Sequence, residues 1–242
     1  MEISIDGQKI SYLDRGKGRV VVLLHGWSKE INKEKYLPLI NLLEKNFRIV
    51  AIDFPGFGKS IKPNHPWSVS DFSDLVQKFL IKLKISKYII IGHSFGGRVA
   101  IKLAAENILG LEKLVLVDSA GVERKSIKVK LMVLLAKLVP VEMKNKLRSF
   151  GSNDYRDVLD DEIMRETMKN VVAESLEADM ARIKVPTLLV WGEEDRTTPL
   201  WQAKIIRQLI VGSELKVING GNHGLPYKMP EKTAEIIIKY LK

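Results

Sequence analysis

The chain has 242 residues, of which 45% are hydrophobic and 28% charged, enough to bury a core and too apolar for a disordered tail. It contains no cysteine, which excludes disulfides, thiolate metal centres and a cysteine nucleophile. The net charge of +10 comes from 39 basic residues, mostly lysine, spread from Lys9 to Lys242 without a block of five and without a nucleic-acid-binding motif, so they are read as a solvated surface and no nucleic-acid partner is expected.

The opening residues carry an acid where a signal peptide carries basic residues, and the longest apolar run, 131–136, is far short of the ~20 residues of a membrane span. The expectation is a cytoplasmic chain with no membrane span, as a monomer or homodimer.

In chain order, two strands are predicted at 2–5 and 9–14, with Asp6-Gly7 as the turn between them. Val20-Val21-Val22-Leu23-Leu24 is an apolar run suited to a strand buried on both faces, and similar runs follow at 47–52, 88–91, 114–117, 187–191 and 215–218. Helical stretches lie between them at 33–45, 69–84, 95–107, 199–210 and 228–241. Ser70 before Asp71, and Pro199, serve as helix-start signals. The alternation predicts an α/β fold: a mostly parallel, doubly wound sheet of about eight strands, antiparallel at its N-terminal edge.

One connection is too long for a simple crossover. Residues 121–182 separate the strand ending at Val117 from the one starting at Thr187, and they have helical character. Ile127, Leu131, Leu134, Leu135 and Leu138 form one stripe. A second helix near 160–172 opens on Asp160-Asp161-Glu162 and carries Met164, Met168, Val171 and Val172. The predicted division is a core of 1–120 and 183–242 with a helical lid, 121–182, inserted after the sixth strand.

The chemistry concentrates at Gly92-His93-Ser94-Phe95-Gly96-Gly97, a G-x-S-x-G directly after an apolar strand and directly before a helix. A Cβ at position 92 or 96 would collide with backbone in so tight a turn, and the helix starting at Phe95 aims its positive end at developing negative charge. A serine hydroxyl needs a base, and the base needs an orienting acid. Of the four histidines, His65 lies on a proline-rich loop, His25 ends an early strand, and His93 is expected to point away across the turn. His223 follows the last apolar strand on the rim where Ser94 emerges, and Asp195 follows the strand before it. Gly58-Lys59-Ser60 is no phosphate-binding loop, because the glycine needed five positions earlier is Asp53.

With the order Ser94, Asp195, His223, the chain resembles the α/β-hydrolase family along almost its whole length, in the branch of lidded esterases and haloperoxidases. His25-Gly26-Trp27 resembles the family's H-G-x segment, Asp53 to Ser60 its D-x-x-G-x-G-x-S loop, and Gly192 to Pro199 its acid loop. The resemblance implies a metal-free, cofactor-free serine hydrolase. Ser94, Asp195 and His223 would be catalytic, with Asp118, at the strand end where some relatives place the acid, as the alternative to Asp195, and the backbone N–H groups of Trp27 and Phe95 would form the oxyanion hole. His25 would brace its loop by hydrogen bonds.

The implied substrate is a small to medium apolar ester met by Phe54, Leu225, Met132 and Leu135, and activity would rise with pH as His223 loses its proton. Alternatives on the same triad are lactone hydrolysis, perhydrolysis and carbon–carbon bond hydrolysis, the last disfavoured by Gly224 where such enzymes carry tryptophan. A non-catalytic ligand-binding member and a cofactor-free oxygenase also remain open. Haloalkane dehalogenases and epoxide hydrolases use an aspartate nucleophile, which argues against both.

Overall fold

The structure, a computed structural model, describes residues 1–27, 33–122 and 161–242. Eight strands form one sheet: β1 (Glu2–Ile5), β2 (Gln8–Arg15), β3 (Val20–Leu24), β4 (Arg48–Ile52), β5 (Tyr88–His93), β6 (Leu111–Val117), β7 (Thr187–Gly192) and β8 (Glu214–Ile218). Their spatial order is β1-β2-β4-β3-β5-β6-β7-β8. β1 and β2 pair antiparallel, as do β2 and β4, and every other pairing is parallel. Both the predicted sheet and its antiparallel edge are therefore present.

The period of two in the strand sequences sorts their side chains onto the two faces. Val22, Leu24, Ile90, Leu114, Leu116, Leu189 and Trp191 enter one core cluster, while Val21, Leu23, Ile89, Ile91, Val115, Val117, Leu188 and Val190 enter the other. The first cluster is covered by α2 (Val69–Lys82) and α3 (Phe95–Ala105), with Ala203 and Ile206 of a later helix. The second is covered by α1 (Leu37–Leu43) and by Ala234, Ile237 and Leu241 of the last helix. Every β-branched residue in these runs thus has a buried face to fill. That requirement is why central strands read as unbroken apolar stretches.

Several boundaries differ from the predicted ones for local reasons. The stretch 33–45 divides into a 3-10 turn, Lys33–Tyr36, and α1, with Pro38 near the new helix start. Ser70 does not start α2. Ser68 does, in a reciprocal capping box with Asp71, an arrangement that contributes about 1 kcal/mol.

Beyond β6, the predicted stripe from Ile127 to Leu138 lies outside the described residues. The end of the predicted lid holds α4 (Glu162–Ala173) and α5 (Glu177–Met180). Met164, Met168 and Val171 of α4 are buried, but Val172 is 59% exposed and does not belong to the stripe, being one step round the helix from Val171. The Leu176 N–H donates to the Gly121 carbonyl at 3.0 Å, so the chain returns to the core beside the point where it left. Lys102 on α3 meets both Glu174 and Asp179, which fastens that return.

The remaining helices are α6 (Leu200–Leu209), α7 (Leu225–Lys228) and α8 (Pro230–Leu241). The stretch predicted at 228–241 is α8, which starts two residues later, at Pro230, behind the short, unpredicted α7. Among the described residues no helix is long and apolar enough to cross a membrane.

Candidate active site

β5 runs into α3 through a single residue, Ser94, whose φ of 52° and ψ of −112° put a residue with a Cβ where few side chains go. Such a conformation costs on the order of 1–3 kcal/mol and persists because the surroundings over-determine it. The Ser94 N–H donates to the Val117 carbonyl, and its own carbonyl accepts from Gly97 and Ala120, all within 3.1 Å. Glycine at 92 and 96 is required by approach rather than by φ. A Cβ at 92 would lie 2.5 Å from the Gly96 carbonyl oxygen, and one at 96 would press into the Leu24 carbonyl. The hydroxyl that results stands on the rim formed by the carboxyl ends of the strands, only partly buried.

The loops after β7 and β8 converge on that hydroxyl. His223 Nε2 lies 2.9 Å from Ser94 Oγ, and its Nδ1 lies 2.8 Å from Asp195 Oδ2. A carboxylate only accepts, so Nδ1 carries the proton and Nε2 is free to receive one from the serine. Asp195 Oδ1 also accepts from the Thr197 and Thr198 N–H groups at 2.7 and 2.9 Å, and Oδ2 takes the Thr198 hydroxyl at 2.7 Å. Burial is the largest single influence on this carboxyl and pushes its pKa up. The His223 hydrogen bond and charge, with the Thr198 donors, outweigh it, so Asp195 sits below its ordinary value and stays ionised.

Asp118, the alternative acid, is fully buried at the end of β6; its Oδ1 accepts the Gly192 N–H at 2.8 Å, and the Leu225 N–H is also aimed at the carboxyl. Among the described residues its Oδ2 has no partner at hydrogen-bond distance and angle. Burial drives its pKa well above the ordinary carboxylate range. The structure thus brings Ser94, His223 and Asp195 together and leaves Asp118 outside the chain of hydrogen bonds to the imidazole.

Across the elbow, β3 ends in His25-Gly26-Trp27. His25 is fully buried, which lowers its pKa and keeps the ring neutral. Its Nδ1–H donates to the Gly26 carbonyl at 2.7 Å, and its Nε2 accepts the Phe54 N–H at 3.0 Å. The bracing role predicted for His25 is therefore met on both ring nitrogens. Gly26 is so close to the elbow that a Cβ there would lie 3.3 Å from Ser94 Cβ, which sets the Gly26–Trp27 peptide beside the nucleophile. Phe95, the first residue of α3, has an N–H without an intrahelical acceptor.

Trp27, Phe54, Phe57 and Phe95 pack edge-to-face around this corner, with ring centroids 4.9–5.2 Å apart for the closest pairs. Phe54 is fully buried within that cluster. Leu225 is equally buried, but in the cluster shared with α1 and α8, under the His223 loop. Met132 and Leu135 lie outside the described residues.

Some participants escaped the sequence. Thr198 had only its place next to the acid to announce it. His93 does not simply turn away from the site: its Nε2 meets the His223 main-chain carbonyl, and its Nδ1 meets Tyr36. Lys33 pairs with the fully buried Asp53 and also reaches Ser11. Among the described residues, His93, Asp118 and His223 each bring one ligand-type atom within 4.8 Å of the others. Both ring nitrogens of each histidine are already engaged in hydrogen bonds, so this set does not fit a metal ion.

Comparison with known proteins agrees with this geometry. The family model described as "Alpha/beta hydrolase family" matches residues 21–236. The AB hydrolase superfamily protein YisY of Bacillus subtilis (strain 168) is 26% identical over 257 residues, covering 94% of this chain and 93% of its own. Monoacylglycerol lipase abhd6-A of Xenopus laevis is 26% identical over 274 residues, covering 98% of this chain and 80% of its own. Among solved structures, a His-tagged serine hydrolase involved in carbazole degradation (CarC enzyme) superposes with a TM-score of 0.80 at 24% identity, covering 100% of this chain and 97% of that one. With a match over most of its length, the chain belongs to the alpha/beta hydrolase family.

Proposed function

We propose that this hydrolase is a carboxylic ester hydrolase acting through an acyl-Ser94 intermediate, with His223 as general base and acid and Asp195 as its orienting acid. The observation that carries this reading is the continuous arrangement Ser94 Oγ, His223 Nε2, His223 Nδ1, Asp195 Oδ2, with both contacts at 2.9 Å or less. His223 takes the Ser94 proton as Oγ attacks the ester carbonyl, and Asp195 steadies the imidazolium. The oxyanion is held by the N–H groups of Trp27 and Phe95, each such donor contributing about 3–4 kcal/mol to the transition state. The protonated imidazole then delivers its proton to the leaving alcohol. Water attacks the acyl-enzyme with the same histidine as base, restoring the serine.

The aromatic corner of Trp27, Phe54, Phe57 and Phe95 supports an apolar acyl or alcohol group of small to medium size. The likeness to a monoacylglycerol lipase also favours an ester as the bond cleaved. The segment 121–182, within which the Leu176 N–H is bonded back to the Gly121 carbonyl, is proposed as a lid over this corner. The absence of cysteine is in keeping with a cytoplasmic location.

The test is hydrolysis of nitrophenyl esters of increasing acyl length by the wild type and by Ser94→Ala. Turnover at short to medium lengths that disappears in the variant, with a fluorophosphonate probe labelling Ser94, is the expected result. Turnover undiminished in Ser94→Ala would sink the reading.

A further inference from the structure

Gly26, Tyr36, His93 and His223 lie on four separate segments, and one buried line of hydrogen bonds joins them. The Gly26 N–H donates to the Tyr36 hydroxyl oxygen at 2.9 Å, that hydroxyl lies 2.7 Å from His93 Nδ1, and His93 Nε2 lies 2.8 Å from the His223 carbonyl oxygen. Chemistry fixes the direction of every proton. A carbonyl only accepts, so His93 Nε2 carries the hydrogen; in a neutral ring Nδ1 is then bare and takes the Tyr36 O–H. The tyrosine oxygen, having donated its one proton, accepts from Gly26. No member of the line is left unpaired, and Tyr36 and His93 are almost wholly buried.

We infer that Tyr36 and His93 form a positioning relay that sets the main chain of the general base, His223, against the His25–Gly26 peptide, which directly precedes the oxyanion peptide, so that the two halves of the catalytic apparatus are registered by side chains as well as by the sheet. The inference rests on the serine-hydrolase reading above, since it assigns Tyr36 and His93 a task only if His223 is the base and Gly26–Trp27 the oxyanion peptide. Neither residue touches the reacting atoms.

Two further observations support the relay. His223 sits in Gly220-Gly221-Asn222-His223-Gly224, a loop whose three glycines leave the backbone intrinsically free, and its own carbonyl is held from outside the loop by His93. The His93 and His223 rings lie 5.2 Å apart, so an imidazolium at 223 would face the second ring directly. Burial, with the neighbouring His223, pushes the His93 pKa down to about 3. His93 therefore stays neutral when His223 takes up the serine proton, and its tautomer does not change during turnover.

The test compares wild type, Tyr36→Phe, His93→Asn and the double variant by kcat per fluorophosphonate-titrated site, by KM and by thermal unfolding. Tyr36→Phe removes one oxygen and keeps the ring packing, while His93→Asn is too short to reach the His223 carbonyl and opens the line at its other end. Misplacing the base relative to the oxyanion donors by a fraction of an ångström predicts kcat per titrated site about tenfold lower in each variant, with KM within about twofold of wild type. The double variant should lose no more than the worse single one, because either change already opens the same line.

A merely structural role would lower the unfolding temperature or the number of titratable sites and leave kcat per site alone. That result, or additive losses in the double variant, would overturn the relay. If Tyr36→Phe does not fold, His93→Asn decides on the same measurement. A wild type that the fluorophosphonate never labels would overturn the serine-hydrolase reading and the relay with it, whereas a labelled wild type and variants with equal rates per site would overturn the relay alone.

Discussion

Asp118 ends β6 and Asp195 follows β7, one strand further along the same rim, yet their surroundings make them different chemical species. Asp195 is met by four donors: two backbone N–H groups, the Thr198 hydroxyl and the His223 imidazole. Asp118 is met by backbone N–H groups only, Gly192 at 2.8 Å and more weakly Leu225, and among the described residues no side chain donates to it. Burial pushes both pKa values up. The donors bring Asp195 back below its ordinary value, and nothing comparable does so for Asp118. A carboxyl becomes a usable partner for imidazolium through the N–H and O–H groups aimed at it, and a place at the carboxyl end of a strand is not sufficient.

Exchanging each acid for its amide separates the two carboxyls most directly. Asp195→Asn replaces an acceptor of the His223 Nδ1 proton with a group that can turn a donor toward it, favouring the wrong tautomer. By analogy with other triads, kcat should fall about 10³–10⁴-fold with the fold intact. Asp118→Asn alters a carboxyl that makes no hydrogen bond to the imidazole, and its kcat should stay close to wild type. Comparable losses from both substitutions, measured by steady-state ester hydrolysis, would erase the distinction. A smaller effect is expected from Thr198→Val, which deletes one donor to Asp195. Hydrogen bonds to charged groups contribute about 1.5–3 kcal/mol, so part of that should appear as lost stability at neutral pH and as a fall in kcat of about tenfold.

The same contrast explains what the sequence made legible. Ser94, Asp195 and His223 could be found because each sits within a few residues of an apolar strand end, and strand ends in a parallel sheet share one rim. The sheet was legible because central strands must fill two faces at once. Solvation is not written in this way. Asp118 and Asp195 look alike as letters, and only the loop containing Thr198, folded back onto the second, separates them. Tyr36 and His93 were silent for a related reason: their partners lie 57 and 130 residues away in the chain.

Leu225 misled by proximity, since a residue two places from His223 suggested a substrate contact. The turn into α7 instead carries it into the core beneath the loop. Ser68 was within reach of the sequence. It stands three residues before Asp71, the spacing of a capping box, and Ser70 stood nearer only in the linear order.

The smallest of the expected effects reads the Asp118 proton itself. A carboxyl whose folded pKa is raised binds its proton more tightly in the native chain than in the unfolded one. Its contribution to stability is fully present below the unfolded pKa, about 3.9, and is lost as pH rises from there through the folded value. An asparagine at 118 has no such proton to lose. The unfolding temperature of Asp118→Asn relative to wild type should therefore rise as pH is taken from 4 toward 8, because the wild type is the protein losing stability over that window. Were Asp118 an ionised carboxylate held by the Gly192 N–H, the sign would invert: the wild type would gain stability over the amide as pH rose from acid. A difference in unfolding temperature that stays flat, or that moves in that opposite sense, would show that the end of β6 is solvated much like the end of β7.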